Sequence, residues 1–145
     1  MRNAIVVLLL ITGAFMAMRF FGAGGHAGVP PMFSEGLTLA AANSRASGEG
    51  KLVLAMATAS WCPPCQQMKK GTLRDAGVEA IVREKYLPVY LDVSDNSSPG
   101  VAEAGPLNIS GIPAFIVLKD GQEIARTVGA MTAADFSDFL RSAAN

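Results

Sequence analysis

The sequence predicts an α/β domain built on a central sheet with helices on both sides. Three observations carry that expectation. Strand-like and helix-like patterns alternate from about residue 34 to the end of the chain. The run Leu52 to Thr58 is apolar throughout, as in a strand buried on both faces. Both cysteines, Cys62 and Cys65, fall where that strand gives way to a helical pattern.

The 145 residues suffice for one domain with a proper core and are too few for two ordinary ones. Twelve basic and twelve acidic side chains leave a formal net charge of zero. No basic excess points to nucleic acid, and no acidic run points to a solvating tail. Two cysteines make no disulfide framework, so the pair is either functional or a single local staple.

Residues 1–21 read as an export signal or signal anchor. Arg2 precedes an uncharged apolar run from Ala4 to Met18, followed by Arg19, Phe20 and Phe21. The run is shorter than the roughly 20 residues that span a bilayer comfortably, although Arg19 can snorkel and the two phenylalanines extend it. The best cleavage candidate, Gly25-His26-Ala27, lies late. A retained anchor, a cleaved signal and a buried helix therefore stay open at this point. The first two place the domain outside the cytoplasm, with the anchor also tying it to the membrane. Residues 22–33, rich in glycine and proline, read as a flexible linker, and residues 34–145 as the domain.

Within the domain, Ser34 is expected to cap a first helix over residues 35–45, which Ser47-Gly48-Glu49-Gly50 ends as a loop. The buried strand Leu52 to Thr58 follows. A helix is expected from Pro63 to about Lys70, since proline is tolerated in a first turn. Gly71 marks a break, and Val78, Ile81 and Val82 continue an amphipathic helix to Lys85. Tyr86 to Val93 reads as a second strand with Pro88 near its start. The stretch from Asp95 to Pro106 is loop-rich, with one short helix over about 101–104. Ala114 to Leu118 and Glu123 to Val128 flank Asp120-Gly121, a strong hairpin signal. Thr132 caps a last helix that buries Phe136, Phe139 and Leu140.

The chemistry concentrates at Trp61-Cys62-Pro63-Pro64-Cys65. Cysteines at i and i+3 across a helix start reach disulfide geometry with little backbone movement. Cys62 at the N-cap would meet free amide donors and the positive end of the helix dipole, which favour its thiolate. Pro63 and Pro64 carry no N–H, so the amide of Cys65 is the nearest backbone partner for that sulfur. A depressed thiol pKa supplies thiolate at neutral pH and makes a better leaving group. Attack on a substrate disulfide then gives a mixed disulfide that Cys65 resolves. Neither intervening residue is a histidine and two prolines stiffen the turn, which favours a reductant.

Other side chains fit plainer readings. A tetrahedral zinc site needs about four ligands, and the one histidine, His26, lies in the linker as a solvated residue. No metal or cofactor is called for beyond the Cys62–Cys65 pair. Lys69 and Lys70 read as a solvated helix face rather than as charges near the site. Nothing places Glu84 or Glu103 near Cys65. Trp61, beside an exposed turn, fits docking better than core packing.

Three pieces, taken in order, resemble the thioredoxin family: Ala59-Ser60-Trp61-Cys62-Pro63-Pro64-Cys65, Gly111-Ile112-Pro113-Ala114-Phe115 and Val128-Gly129-Ala130. They span roughly residues 51–145. An export segment with Cys-Pro-Pro-Cys looks most like the periplasmic or membrane-tethered branch, the TlpA-like and cytochrome c maturation type. The resemblance implies a central mixed sheet, with Cys62 as nucleophile, Cys65 as resolving cysteine and a cis bond before Pro113. It implies that Trp61, Pro63, Ile112, Pro113 and Gly129 form the groove that binds substrate. Two positions depart from the family: its buried aspartate is Met56 here, and the lysine that faces it aligns with Tyr90.

The sequence therefore implies a thiol–disulfide oxidoreductase outside the cytoplasm, in a bacterial periplasm. It would reduce protein disulfides with electrons from a membrane protein. An oxidase or isomerase, and a non-catalytic module that holds a client, are the rival readings.

Overall fold

The computed structural model describes residues 25–34 and 36–145. The apolar run of residues 4–18, and with it the anchor or signal expected there, lies outside them. Among the described residues no helix is long and apolar enough to cross a membrane.

The elements run α1 (Leu39–Glu49), β1 (Leu52–Thr58), α2 (Pro63–Lys70), α3 (Ala76–Lys85), β2 (Tyr86–Asp92), α4 (Gly100–Ala104), β3 (Ala114–Lys119), β4 (Gln122–Val128) and α5 (Ala133–Ala143). The strands form one mixed sheet in the order β2-β1-β3-β4. β1 pairs parallel with β2 and antiparallel with β3, and β3 pairs antiparallel with β4. Central placement of β1 explains its unbroken apolar run, since both of its faces meet helices.

Alternation along β1 divides the core in two. Leu54 and Met56 face one side with Met68 of α2, Val78 and Val82 of α3, and Phe136 and Leu140 of α5. Val53, Ala55 and Ala57 face the other with Ala42 and Ala46 of α1 and Ala104 of α4. Met56, at the position of the missing aspartate, is fully buried core packing. Phe136 anchors its side through Phe115, the ring centroids lying 4.5 Å apart. Phe139 is only half-buried.

Most expected elements stand within a residue or two of their expected ends. The Asp120-Gly121 turn has φ of 50° and 80°, the left-handed pair that a two-residue hairpin requires. Pro88 sits in β2, an edge strand, the position in a sheet where proline is best tolerated. Thr132 caps α5, its side chain accepting from the amide of Asp135.

The first helix is a correction. It begins four residues later than expected and runs through Ser47, Gly48 and Glu49. Thr38 is the N-cap, its Oγ1 accepting from the amide of Ala41, and Glu103 of α4 accepts from the amide of Leu39 at 2.7 Å. Ser34 instead makes an isolated parallel bridge with Val89. Ala42 and Ala46, one turn apart on the sheet-facing side, carry the helix on to Gly50, whose left-handed φ of 64° ends it.

Packing also begins inside the stretch that reads as linker. Pro30 and Phe33 are buried, Val29 and Met32 pack on the core, and the amide of Ala27 donates to Oε1 of Gln66 at 2.6 Å. Phe33 meets the ring of Tyr90 edge-on at 6.0 Å. Four apolar side chains in a glycine- and proline-rich segment were enough to dock it.

Candidate active site

Cys62 and Cys65 form a disulfide with their Cα atoms 5.2 Å apart. β1 ends at Thr58, three residues of turn follow, and Cys62 becomes the N-cap of α2. Pro63 and Pro64 occupy the first helical positions, exposed to solvent. The first available amide is that of Cys65, which donates to the Cys62 sulfur at 3.2 Å. In the reduced pair the same amide and the helix dipole would hold a Cys62 thiolate. Cys62 keeps 3% of its surface and Cys65 none, so Cys62 is the sulfur a substrate reaches first.

Ile112 and Pro113 come up beside the pair. The bond between them is cis, and the Ile112 carbonyl oxygen lies 3.8 Å from the Cys62 sulfur. Ile112 packs against Ala59, Cys62 and Cys65. Pro113 is buried, and its carbonyl accepts from the amide of Gly129 at 2.8 Å. Gly129 has φ of 103°, which a side chain would strain. β3 and β4 thus deliver Ile112, Pro113 and Gly129 to one place from two sequence regions.

Trp61 keeps 63% of its surface exposed, which excludes a core role. Its Nε1 donates to the Ser94 carbonyl at 2.7 Å. Ser94 Oγ accepts from the amide of Ser60 at 2.8 Å, while the Ser94 amide and hydroxyl both donate to Asp92 Oδ1. This network ties the turn before Cys62 to the end of β2. Sequence reasoning missed it. The available signal was Asp92-Val93-Ser94, a residue pattern that builds local turns by side-chain hydrogen bonds.

Lys69 is a second correction. It is not on a solvated face: only 2% of it is exposed, and its Nζ donates to the Tyr90 hydroxyl at 2.7 Å. Burial pushes its amine below the usual lysine range, and the charge of Asp92 acts in the opposite sense. Lys70 is exposed. Lys69, Tyr90, Asp92 and Ser60 line a cavity of about 550 Å³, with His26 at its exposed rim. Glu103 is engaged at the start of α1, and Glu84 pairs with Lys85 at the surface. Among the described residues, no group of three or more His, Cys, Asp or Glu could hold a metal ion.

The model of the thioredoxin-like domain family matches residues 39–144. The chain belongs to the thioredoxin-like family. It is 39% identical to a thioredoxin of Chlamydia trachomatis over 88 residues, 61% of this chain and 76% of that one. A thioredoxin from Thermus thermophilus superposes with a TM-score of 0.63 at 28% identity, covering 72% of this chain and 82% of the other. The reduced C-terminal domain of DsbD from Neisseria meningitidis superposes with a TM-score of 0.62 at 26% identity, covering 76% and 97%. With its Cys-x-x-C pair at the start of α2, this thioredoxin-like domain is a thiol–disulfide oxidoreductase that works by thiol–disulfide exchange.

Proposed function

We propose that this thioredoxin-like domain reduces disulfides of proteins outside the cytoplasm, drawing its electrons from a membrane protein. The observation that carries the exchange chemistry is the amide of Cys65 aimed at the Cys62 sulfur, with the Ile112 carbonyl on its other side. The reduced pair would attack a substrate disulfide through Cys62, forming Cys62–S–S–substrate and releasing one substrate thiolate. Cys65 would then attack Cys62, restoring the Cys62–Cys65 bond and releasing the second thiolate. Two electrons pass to the substrate, and the oxidised domain needs a reductant to act again.

The direction rests on the turn. Neither Pro63 nor Pro64 supplies a positive charge that would stabilise the thiolate further and make the pair more oxidising. The place rests on Arg2 and the apolar run of residues 4–18, whose pattern is that of an export signal or anchor. Likeness to the C-terminal domain of DsbD and the Cys-Pro-Pro-Cys turn both support the membrane-tethered or periplasmic branch. Trp61, Pro63, Ile112, Pro113 and Gly129 would form the docking groove, the substrate strand pairing with backbone beside Pro113.

The reduction potential of the pair, titrated against a defined thiol buffer, tests the direction. A value near the thioredoxin end, about −270 mV, is expected. A value near about −120 mV would make the domain an oxidant of newly exported proteins.

A further inference from the structure

Behind the redox pair the fold buries an amine that the exchange steps described above do not use. Lys69 follows Cys65 by four residues on α2, so the two lie on one helix face, one turn apart. Long helical side chains lean toward the N-terminus of their helix, which carries the amine of Lys69 back to the level of Cys65. The cavity supports that direction, because Lys69 shares its lining with Ser60, two residues before Cys62. The amine is fixed there by the hydroxyl of Tyr90.

The surroundings are more polar than most of this core. Tyr90 pairs in register with Met56, and Asp92 with Thr58. Thr58 is fully buried, and its hydroxyl has no hydrogen-bond partner among the described residues. By strand alternation it lies on the same face of β1 as Met56. The titratable groups facing the Lys69 amine are Tyr90 and Asp92 on β2, with His26 at the cavity rim. Met56 offers no carboxylate on this face of β1.

We propose that Lys69, held by Tyr90, is a positioning residue of the exchange reaction: its positive charge behind Cys65 favours loss of that thiol's proton. The inference rests on the exchange reading above and deepens it. During resolution the Cys65 S–H bond breaks and its proton passes to solvent. The Cys65 thiolate attacks the Cys62 sulfur, the Cys62–substrate bond breaks, and its electron pair leaves on the substrate sulfur, which solvent protonates. A cation near Cys65 stabilises the thiolate and so raises the fraction competent to attack at neutral pH.

The test uses the full reduced chain and an aromatic disulfide reagent that leaves thionitrobenzoate on Cys62. Release of the second thionitrobenzoate reports attack by Cys65, followed from roughly pH 5 to 9 around the reference thiol range. Lys69→Met is expected to move the midpoint of that profile up by about one pH unit, about tenfold slower release below the midpoint. Lys69→Arg is expected to keep most of the wild-type profile. Should Lys69→Met fail to fold, Tyr90→Phe, which frees the amine from its anchor, is expected to shift the midpoint in the same direction by less.

A purely structural lysine would change the denaturation midpoint and leave the pH profile alone. An unmoved midpoint in a folded Lys69→Met, or in Tyr90→Phe where it stands in, overturns the proposal while leaving exchange intact. A wild-type chain that never releases the second thionitrobenzoate overturns the exchange reading as well.

Discussion

Gly100 and Asp92 meet backbone to backbone. A Cβ added at Gly100 would stand 2.5 Å from both the amide nitrogen and the carbonyl oxygen of Asp92. The start of α4 is therefore pressed directly onto the end of β2, with no side chain between them. Asp92 is also the residue that holds Ser94, and Ser94 holds Ser60 and Trp61 beside the redox turn. One glycine thus supports the flank of the active site from behind.

Gly100→Ala should accordingly destabilise the fold, because the atoms met are backbone and cannot swing aside. Overpacking of this kind costs roughly 1–3 kcal/mol, and the upper end is expected here. Urea unfolding checks it: the midpoint should fall with an unchanged slope. A midpoint equal to that of wild type would mean that α4 slides off β2 at no cost.

Cys65→Ser and Cys62→Ser should fail in different ways. Without Cys65 the mixed disulfide on Cys62 forms but is not resolved, so a covalent complex with a protein disulfide substrate accumulates. Without Cys62 no such complex forms, since Cys65 has no exposed surface. Turnover should drop by a factor of at least about 10³ in both, as for loss of a nucleophile. Non-reducing electrophoresis of the two variants with substrate separates the outcomes, and a complex trapped by Cys62→Ser would reverse the assignment.

Tyr86 adds an alkaline limit to stability. Its buried hydroxyl donates to the Leu140 carbonyl, and burial pushes its pKa up from 10.0 to about 12. The folded state thus keeps the proton more tightly than the unfolded chain does. The contribution is fully present below about pH 10 and is lost as pH rises from there through about 12. Two units of difference correspond to on the order of 3 kcal/mol. Unfolding measured at increasing alkaline pH should show this loss, and Tyr86→Phe should flatten it. At neutral pH that variant gives up one buried hydrogen bond, about 1 kcal/mol. An equal alkaline slope in both proteins would remove Tyr86 as the cause.

Legibility in the sequence varied with the range of the physics involved. β1 was readable because burial on both faces demands apolar residues without a break, and Leu52–Thr58 supplies them. The β3–β4 turn was readable because Asp120-Gly121 accepts left-handed backbone locally. The start of α1 was not. Ser34 and Thr38 are both acceptable N-caps, and the choice fell to a bridge with Val89 and a carboxylate from Glu103, both distant in sequence. The packing of Val29 to Phe33 was hidden for the same reason: composition reports what a segment can do alone, not what it finds to lie against.

The candidate site divides in the same way. Cys62, Cys65 and the amide between them were determined by the sequence, because a cysteine before two prolines at a strand-to-helix turn leaves only the Cys65 N–H to meet its sulfur. The approach of Ile112 and Gly129 followed from the family resemblance. The state of Lys69 was decided only by tertiary structure. A lysine on an amphipathic helix ordinarily faces water, and nothing within one turn of it says otherwise. It is buried because β2 brings Tyr90 and Asp92 to meet it, which makes a polar partner available where desolvation would otherwise be prohibitive. Local rules set the chemistry of the redox turn; the environment behind it depends on parallel pairing between strands about thirty residues apart.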